Sequence, residues 1–232
     1  MNFVSRRRKR RGMEVGMGFY LNSKKSLTMY RNETRKPYFV DKSMMLEELC
    51  PLAEQGSNYI CITRPRRFGK TIMANMISAF FSRGIDSKDV FDHLAIGKTG
   101  AGGFRNRYNV IHIDFSKYGD ECEDYKGYID YLKTLLREDL YRAYPECGFR
   151  KGATVSEDLM RIYLQTEEGF VFVLDEWDAV FHMSFVTETD KKAYLLFLKD
   201  LLKEQPYVRL ACMTGILPIA KYSSGSELNM FL

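Results

Sequence analysis

"ITRPRRFGKTIM", residues 62–73, is the stretch on which the fold turns. It ends as a phosphate-binding loop of pattern G-x-x-x-x-G-K-[ST] ends, with Gly69, Lys70 and Thr71, but Arg64 stands where the pattern has its first glycine. Ahead of it, "NYICITR" (58–64) is a continuous apolar and β-branched run of strand length. Behind it, "KTIMANMISAFFSRG" (70–84) puts Ile72, Met73, Met76, Ile77, Phe80 and Phe81 on one helical face and stops at Gly84. Strand, loop and helix are the frame in which backbone N–H groups curl around a β-phosphate, a lysine bridges the β- and γ-phosphates, and a hydroxyl holds Mg²⁺. The loop residues Arg66, Arg67, Phe68, Gly69, Lys70 and Thr71 are therefore the candidate nucleotide contacts. Arg66 and Arg67 either add positive potential beside the phosphates or are plain surface charges. The missing glycine matters because that position often needs a backbone shape only glycine takes easily. Pro65 offers another path, since it biases Arg64 toward extended geometry.

Further along, "NVIHIDFS" (109–116), "GFVFVLDEWD" (169–178) and "YVRLACMTG" (207–215) read as three more buried strands. Between them lie amphipathic helices at 125–144, from Ser156 as a cap to about Gln165, and at 190–204. Apolar strands alternating with helices predict a parallel sheet covered on both faces. In "PYFVDKSMMLEELC" (37–50), Pro37 opens an extended piece and Asp41 or Ser43 is placed to cap a helix. The Gly-rich "GKTGAGGFRNRYN" (97–109) is expected to be a loop. Its "GKT" lacks a preceding apolar strand, so it is no second nucleotide site.

The third strand run ends in Asp175 and Glu176, as a Walker B strand does. Acids at the C-terminal end of a buried parallel strand lie where ligands collect in open α/β sheets. Asp175 is placed to hold Mg²⁺ with Thr71, and Glu176 to act as general base on an attacking water, with ATP as the nucleotide.

Composition narrows the alternatives. The net charge of +5 includes six positive charges in "RRRKRR" (6–11), and subtracting six from +5 leaves −1 for the rest of the chain. Any general attraction to nucleic acid or acidic lipid belongs to that run. There is no signal-peptide apolar stretch and no apolar run of membrane-spanning length, so the reading is a cytoplasmic protein. The five cysteines are an odd number without a C-x-x-C pair, and His93, His112 and His182 lack ligand spacing, which argues against a disulfide framework and a protein-only zinc site.

One strand run, 109–116, intervenes between the loop and the acidic motif. That spacing, with a glutamate after the aspartate, resembles the additional-strand catalytic-glutamate division of P-loop NTPases (RecA/AAA-like), which includes AAA+ and STAND ATPases. The resemblance implies a sensor role near the γ-phosphate for Thr214, at the end of the fourth strand. More specifically, "PYFVDKS", "ITRPRRFGKT", "VLDEWD" and "MTGI" occur in the order seen in the predicted AAA-ATPase-like family of bacteria and anaerobic eukaryotes. Members of that family look like "YYVDKT", "RPRRFGKT", "IDEYD" and "TGI", so arginine in place of the first glycine resembles a family trait. Trp177 stands where the family usually has tyrosine.

The resemblance implies a three-layer α/β/α fold with a parallel sheet in the order 1-4-3-2. It divides the chain into a basic, disordered tail at 1–36 and an AAA-ATPase-like P-loop domain at 37–232. The family usually continues through a further strand, a helical region and often a PD-(D/E)XK-type nuclease domain, so it also implies a chain shortened at its C-terminal end. In that case strand 58–63 is a sheet edge that invites self-association unless segment 37–50 covers it.

The expected function is an ATP-driven conformational switch. Its target, whether a protein partner, a missing C-terminal domain or nucleic acid, is named by no residue. The competing readings are a degenerate nucleotide-binding or interaction module without turnover, and a small-molecule kinase. The kinase would need an acceptor pocket and lid that the sequence does not display.

Overall fold

The computed structural model of the protein describes residues 18–218 and 228–231. Four strands, β1 (Asn58–Thr63), β2 (Asn109–Asp114), β3 (Phe170–Asp175) and β4 (Val208–Gly215), form one sheet in the order β1-β4-β3-β2, every pair parallel. This is the order that the family resemblance implies. All six residues of β3 are buried, which only a central strand covered on both faces allows.

Strand side chains alternate between faces, and the two cores follow that alternation. Phe170, Phe172 and Leu174 of β3 join Ile111, Ile113, Ala211 and Met213 in one core, with α5 (Tyr125–Ala143), α6 (Val155–Thr166) and α7 (Glu188–Leu202). Val171 and Val173 join Val110, Leu210 and Cys212 in the other, with α1 (Lys24–Thr34), α2 (Met45–Gln55), α3 (Lys70–Phe81) and α4 (Lys88–Phe91). The result is three layers, and each fully buried Phe, Leu or Val contributes about 1.5–3 kcal/mol of apolar transfer. Among the described residues no helix is long and apolar enough to cross a membrane.

Several local expectations need correction. α6 is capped by Thr154 and not by Ser156: the Thr154 hydroxyl accepts from the Glu157 N–H while the Glu157 carboxylate accepts from the Thr154 N–H, and Ser156 donates instead to Asp200 O. Neither Asp41 nor Ser43 caps α2, whose N-cap is Met44 without a side-chain bond. The 97–109 segment holds 3₁₀ turns at Ala95–Lys98 and Gly100–Phe104.

The largest correction is at the N-terminal side, where the expected tail extended to residue 36. The basic run at 6–11 lies outside the described residues, but residues 18–34 are part of the folded domain. α1 buries Ser26, Leu27 and Tyr30 against α3. Ahead of it, residues 20–22 lie along the free edge of β2: Leu21 bridges Ile111 antiparallel, the Asn22 N–H donates to Val110 O at 2.8 Å, and the His112 N–H donates to Tyr20 O at 3.0 Å. That edge is thereby paired, as an exposed edge needs to be.

One carboxylate fixes this segment. Asp139, buried on α5, accepts backbone N–H bonds from Phe19 (2.9 Å), Tyr20 (2.7 Å) and Leu21 (3.1 Å). The segment comes so close that a Cβ on Gly18 would lie 2.2 Å from the Asp139 carboxyl carbon. Asp139→Ala strands three N–H groups and is expected to lower unfolding stability by about 3 kcal/mol. Gly18→Ala is expected to lower it in the same direction. Urea denaturation measures both, and an unchanged midpoint for Asp139→Ala would show that the segment does not depend on this carboxylate.

Candidate nucleotide site

The parallel register brings the carboxyl ends of the strands level. Thr63 of β1 pairs with Gly215 of β4, Leu174 of β3 with Met213, and Asp114 of β2 with Asp175 of β3. Arg64 carries the β1–β4 ladder one step further, its N–H donating to Gly215 O at 3.1 Å. The backbone is left-handed at Arg67 (φ 69°) and at Gly69 (φ 79°), and Arg64 is not among the positive-φ residues. That resolves the missing glycine: the first loop position is spent on strand pairing, and the reversal comes three residues later.

Gly69 is the N-cap of α3, its carbonyl accepting from the Met73 N–H at 3.0 Å. Lys70 opens the helix with its side chain only 3% exposed. Its Nζ lies 3.4 Å from Pro65 O and 3.5 Å from Glu176 Oε1. A buried ammonium needs such partners to offset its lost hydration.

Asp175 has no exposed surface. Its Oδ1 accepts a short hydrogen bond from the Thr214 hydroxyl, and its Oδ2, equally buried, has no hydrogen-bond partner among the described residues. Burial pushes the Asp175 carboxyl above its ordinary value; the hydroxyls of Thr214 and Thr71 pull it back, while the carboxylates of Asp114 and Glu176 add to the rise. Thr214 also accepts from the Glu176 N–H at 3.4 Å. Glu176 itself has a left-handed backbone (φ 52°), a conformation that costs a non-glycine residue about 1–3 kcal/mol and that clusters at ligand sites.

Trp177 keeps both acids in place by filling the core behind them. It is fully buried, its N–H donates to Thr214 O at 3.0 Å, and a Cβ on Gly215 would lie 2.5 Å from its indole. Asp178 accepts from the N–H groups of Ile216 and Leu217, both at 2.9 Å, and so holds the turn after β4.

A polar cavity of about 480 Å³ opens over this end of the sheet, lined by Arg66, Thr71, Asn75, Asp114, Asp175 and Glu176 on one side and by Tyr20, Ser23 and Ser26 on the other. Gly69, Lys70, Thr71, Asp175, Glu176 and Thr214 are thus brought together, with Arg66 at the rim. Arg67 and Phe68 face elsewhere, lining an apolar groove with Gly69. Sequence reading missed Asp114, Asn75 and Asp178. The signal for Asp114 was available, because "HIDFS" ends its strand in an acid as "VLDEWD" does.

An orphaned buried carboxylate oxygen beside a helix-start hydroxyl suits a hard divalent cation. Mg²⁺ characteristically uses one or two carboxylates and completes its shell with phosphate oxygens and water. Among the described residues no group of three or more His, Cys, Asp or Glu side chains gathers as a metal site, so the phosphates would have to supply the remaining ligands. Asp175 and Thr71 fit Mg²⁺ on those terms.

No curated protein and no solved structure matches the chain. A family model described as a predicted AAA-ATPase matches residues 28–224, a span that takes in α1, the loop, both acids and all four strands, and the chain belongs to this AAA-ATPase-like family.

Proposed function

We propose that the chain binds ATP with Mg²⁺ at the carboxyl ends of β1, β3 and β4 and hydrolyses it, acting as a nucleotide-driven switch on a partner. The observation that carries the reading is the meeting, at one dry strand end, of a buried lysine, a helix-start threonine and a buried aspartate with an oxygen left free. The N-terminus of α3 and the N–H groups around Gly69 favour the phosphate charge. Lys70 releases its contacts with Glu176 and Pro65 O and bridges the β- and γ-phosphates. Mg²⁺, when bound, neutralises phosphate charge and orients the γ-phosphoryl group.

Glu176 accepts a proton from the attacking water as the new O–P bond forms, and the bond from Pγ to the bridging oxygen breaks with its electron pair leaving on ADP. Thr214 positions both acids at once, donating to Asp175 and accepting from the Glu176 N–H. Phosphate release by the wild type against Glu176→Gln tests turnover. The variant is expected to bind ATP normally and to lose about 10²–10⁴ in rate, whereas equal backgrounds would leave a binding module without turnover.

Lys70→Ala removes the cation that meets the phosphates and is expected to cost about 3 kcal/mol of ATP binding by calorimetry. Unchanged affinity would place the site elsewhere. Thr71→Ala should weaken binding in Mg²⁺ and leave binding in EDTA unaltered.

The raised Asp175 carboxyl gives a pH dependence of definite sign. Protons and Mg²⁺ compete for the same oxygen, and a carboxyl with a raised pKa takes its proton at higher pH than an ordinary one. Mg²⁺-dependent ATP affinity should therefore fall, as pH is lowered, above the usual carboxylate range, and Asp175→Asn should flatten that profile. A wild-type profile identical to that of Asp175→Asn would remove Asp175 from the metal site.

A further inference from the structure

The phosphate loop is flanked by a second concavity that the mechanism above does not use. It is an apolar groove of about 340 Å³ between α1, the 38–42 segment, the loop residues Arg67 to Gly69 and the outer face of α3. Four of the most exposed large apolar side chains line it: Tyr38 (93% exposed), Val40 (68%), Phe68 (61%) and Ile72 (37%). An apolar patch of this kind, on a wall shared with a ligand loop, marks a surface that something covers.

A second observation points to a ligand rather than to mere surface. Tyr30, 1% exposed, is packed by Phe91, stacked at 5.5 Å, and by Phe39, edge-on at 6.1 Å. Its hydroxyl lines the groove and is buried without a hydrogen-bond partner. Buried hydroxyls are nearly always paired, because an unmade bond costs about 1–3 kcal/mol. Burial first, and then the Asp41 carboxylate, raise the Tyr30 pKa, so the phenol stays neutral and keeps one donor and two acceptor positions.

The groove is also built in advance. Asp41 Oδ1 accepts from the Ser43 N–H at 2.8 Å and Oδ2 from the Ala95 N–H at 2.7 Å, while Ser43 Oγ accepts from the Ile96 N–H at 3.1 Å. The "PYFVDKS" motif therefore serves as a clamp: its Asp and Ser tie the segment to the 95–96 turn, and Tyr38 and Val40 are left to form a wall. Gly97 lets that turn sit tight, since a Cβ there would lie 2.4 Å from Phe91 O.

We infer that this groove is the base subsite of the nucleotide site, taking the purine ring of ATP between Val40, Phe68 and Ile72, and that the Tyr30 hydroxyl at its floor hydrogen-bonds the purine edge. The inference rests on the proposed phosphate site. Its argument is continuity: Gly69 belongs to the phosphate loop and to the groove wall, so a nucleotide with its β-phosphate at the loop has this groove within reach of its base. A hydroxyl that both donates and accepts can pair with a ring nitrogen or an exocyclic amine.

The test compares Mg²⁺–ATP with Mg²⁺–tripolyphosphate by calorimetry on the wild type, Tyr30→Phe, Val40→Glu and Lys70→Ala. The wild type should bind ATP at least about 10-fold more tightly than tripolyphosphate. Tyr30→Phe should weaken ATP by about 3- to 10-fold, the span of one neutral hydrogen bond, and leave tripolyphosphate unchanged. It should also melt no lower than the wild type without ligand, since it deletes an unpaired buried hydroxyl, an outcome that a structural role for that hydroxyl would reverse. Val40→Glu, at an exposed position, should weaken ATP selectively even if Tyr30→Phe folds poorly.

Equal wild-type affinity for the two ligands, or groove variants that leave ATP binding unchanged, would overturn the base subsite, and a loss of both ligands in Lys70→Ala would still uphold the phosphate site. A wild type that binds neither ligand would overturn both readings. Groove variants that alter oligomeric state in place of ATP affinity would assign the groove to a protein segment and overturn the inference.

Discussion

The interior of a parallel sheet covered on both faces is dry, and that constraint organises the whole molecule. Along β3 every side chain from Phe170 to Leu174 is fully buried and apolar, so no polar chemistry can be sited within the strand. It emerges only where the strands stop. Parallel pairing makes them stop on one side and at one level, with Asp114 beside Asp175 and Thr63 beside Gly215. The site is thus a consequence of register: a slip of one residue in β3 would send Asp175 to a different height and exchange the Phe and Val faces between the two cores.

At that boundary the charges are held in opposition. Asp175 is deprived of water and given one hydroxyl; Lys70 is deprived of water and given a carbonyl and a distant carboxylate; Glu176 is held on an unfavourable backbone. Each arrangement leaves a group less well satisfied than water would leave it. A protein that stores incomplete bonding at one spot is prepared to exchange it for bonding to a ligand, which is the physical content of preorganisation.

The elements most legible in the sequence were those whose signal is local. β1 to β4 are unbroken apolar runs, α3 and α5 show broad apolar faces, and the phosphate loop shows its last three residues directly. Strand order came from family resemblance, since periodicity carries no information about neighbours. α1 was missed because only Ser26, Leu27 and Tyr30 are buried on an otherwise polar helix that follows glycines. The misassigned caps have a different cause. Asp41 and Ser43 are good cap residues, but their oxygens are claimed by the 95–96 turn, more than fifty positions away. Tyr30 and Asp114 were invisible as site residues because their significance lies in what surrounds them in space.

The clasp of Asp139 on residues 19–21 sets an order of events during synthesis. The Phe19 amide and its acceptor are 120 residues apart, and a ribosome adding about 5–20 residues per second needs on the order of 10 s to deliver the second after the first. Throughout that interval the opening segment has no partner, because β2 and α5, against which it lies, are still to come. The outer edge of β2 is likewise without its cover until the segment returns. The newborn chain therefore passes through a stage in which its sheet edge and its leading residues are both open to the wrong neighbours. The wait ends when α5 clears the exit tunnel and its buried carboxylate gathers the beginning of the chain to the side of the sheet.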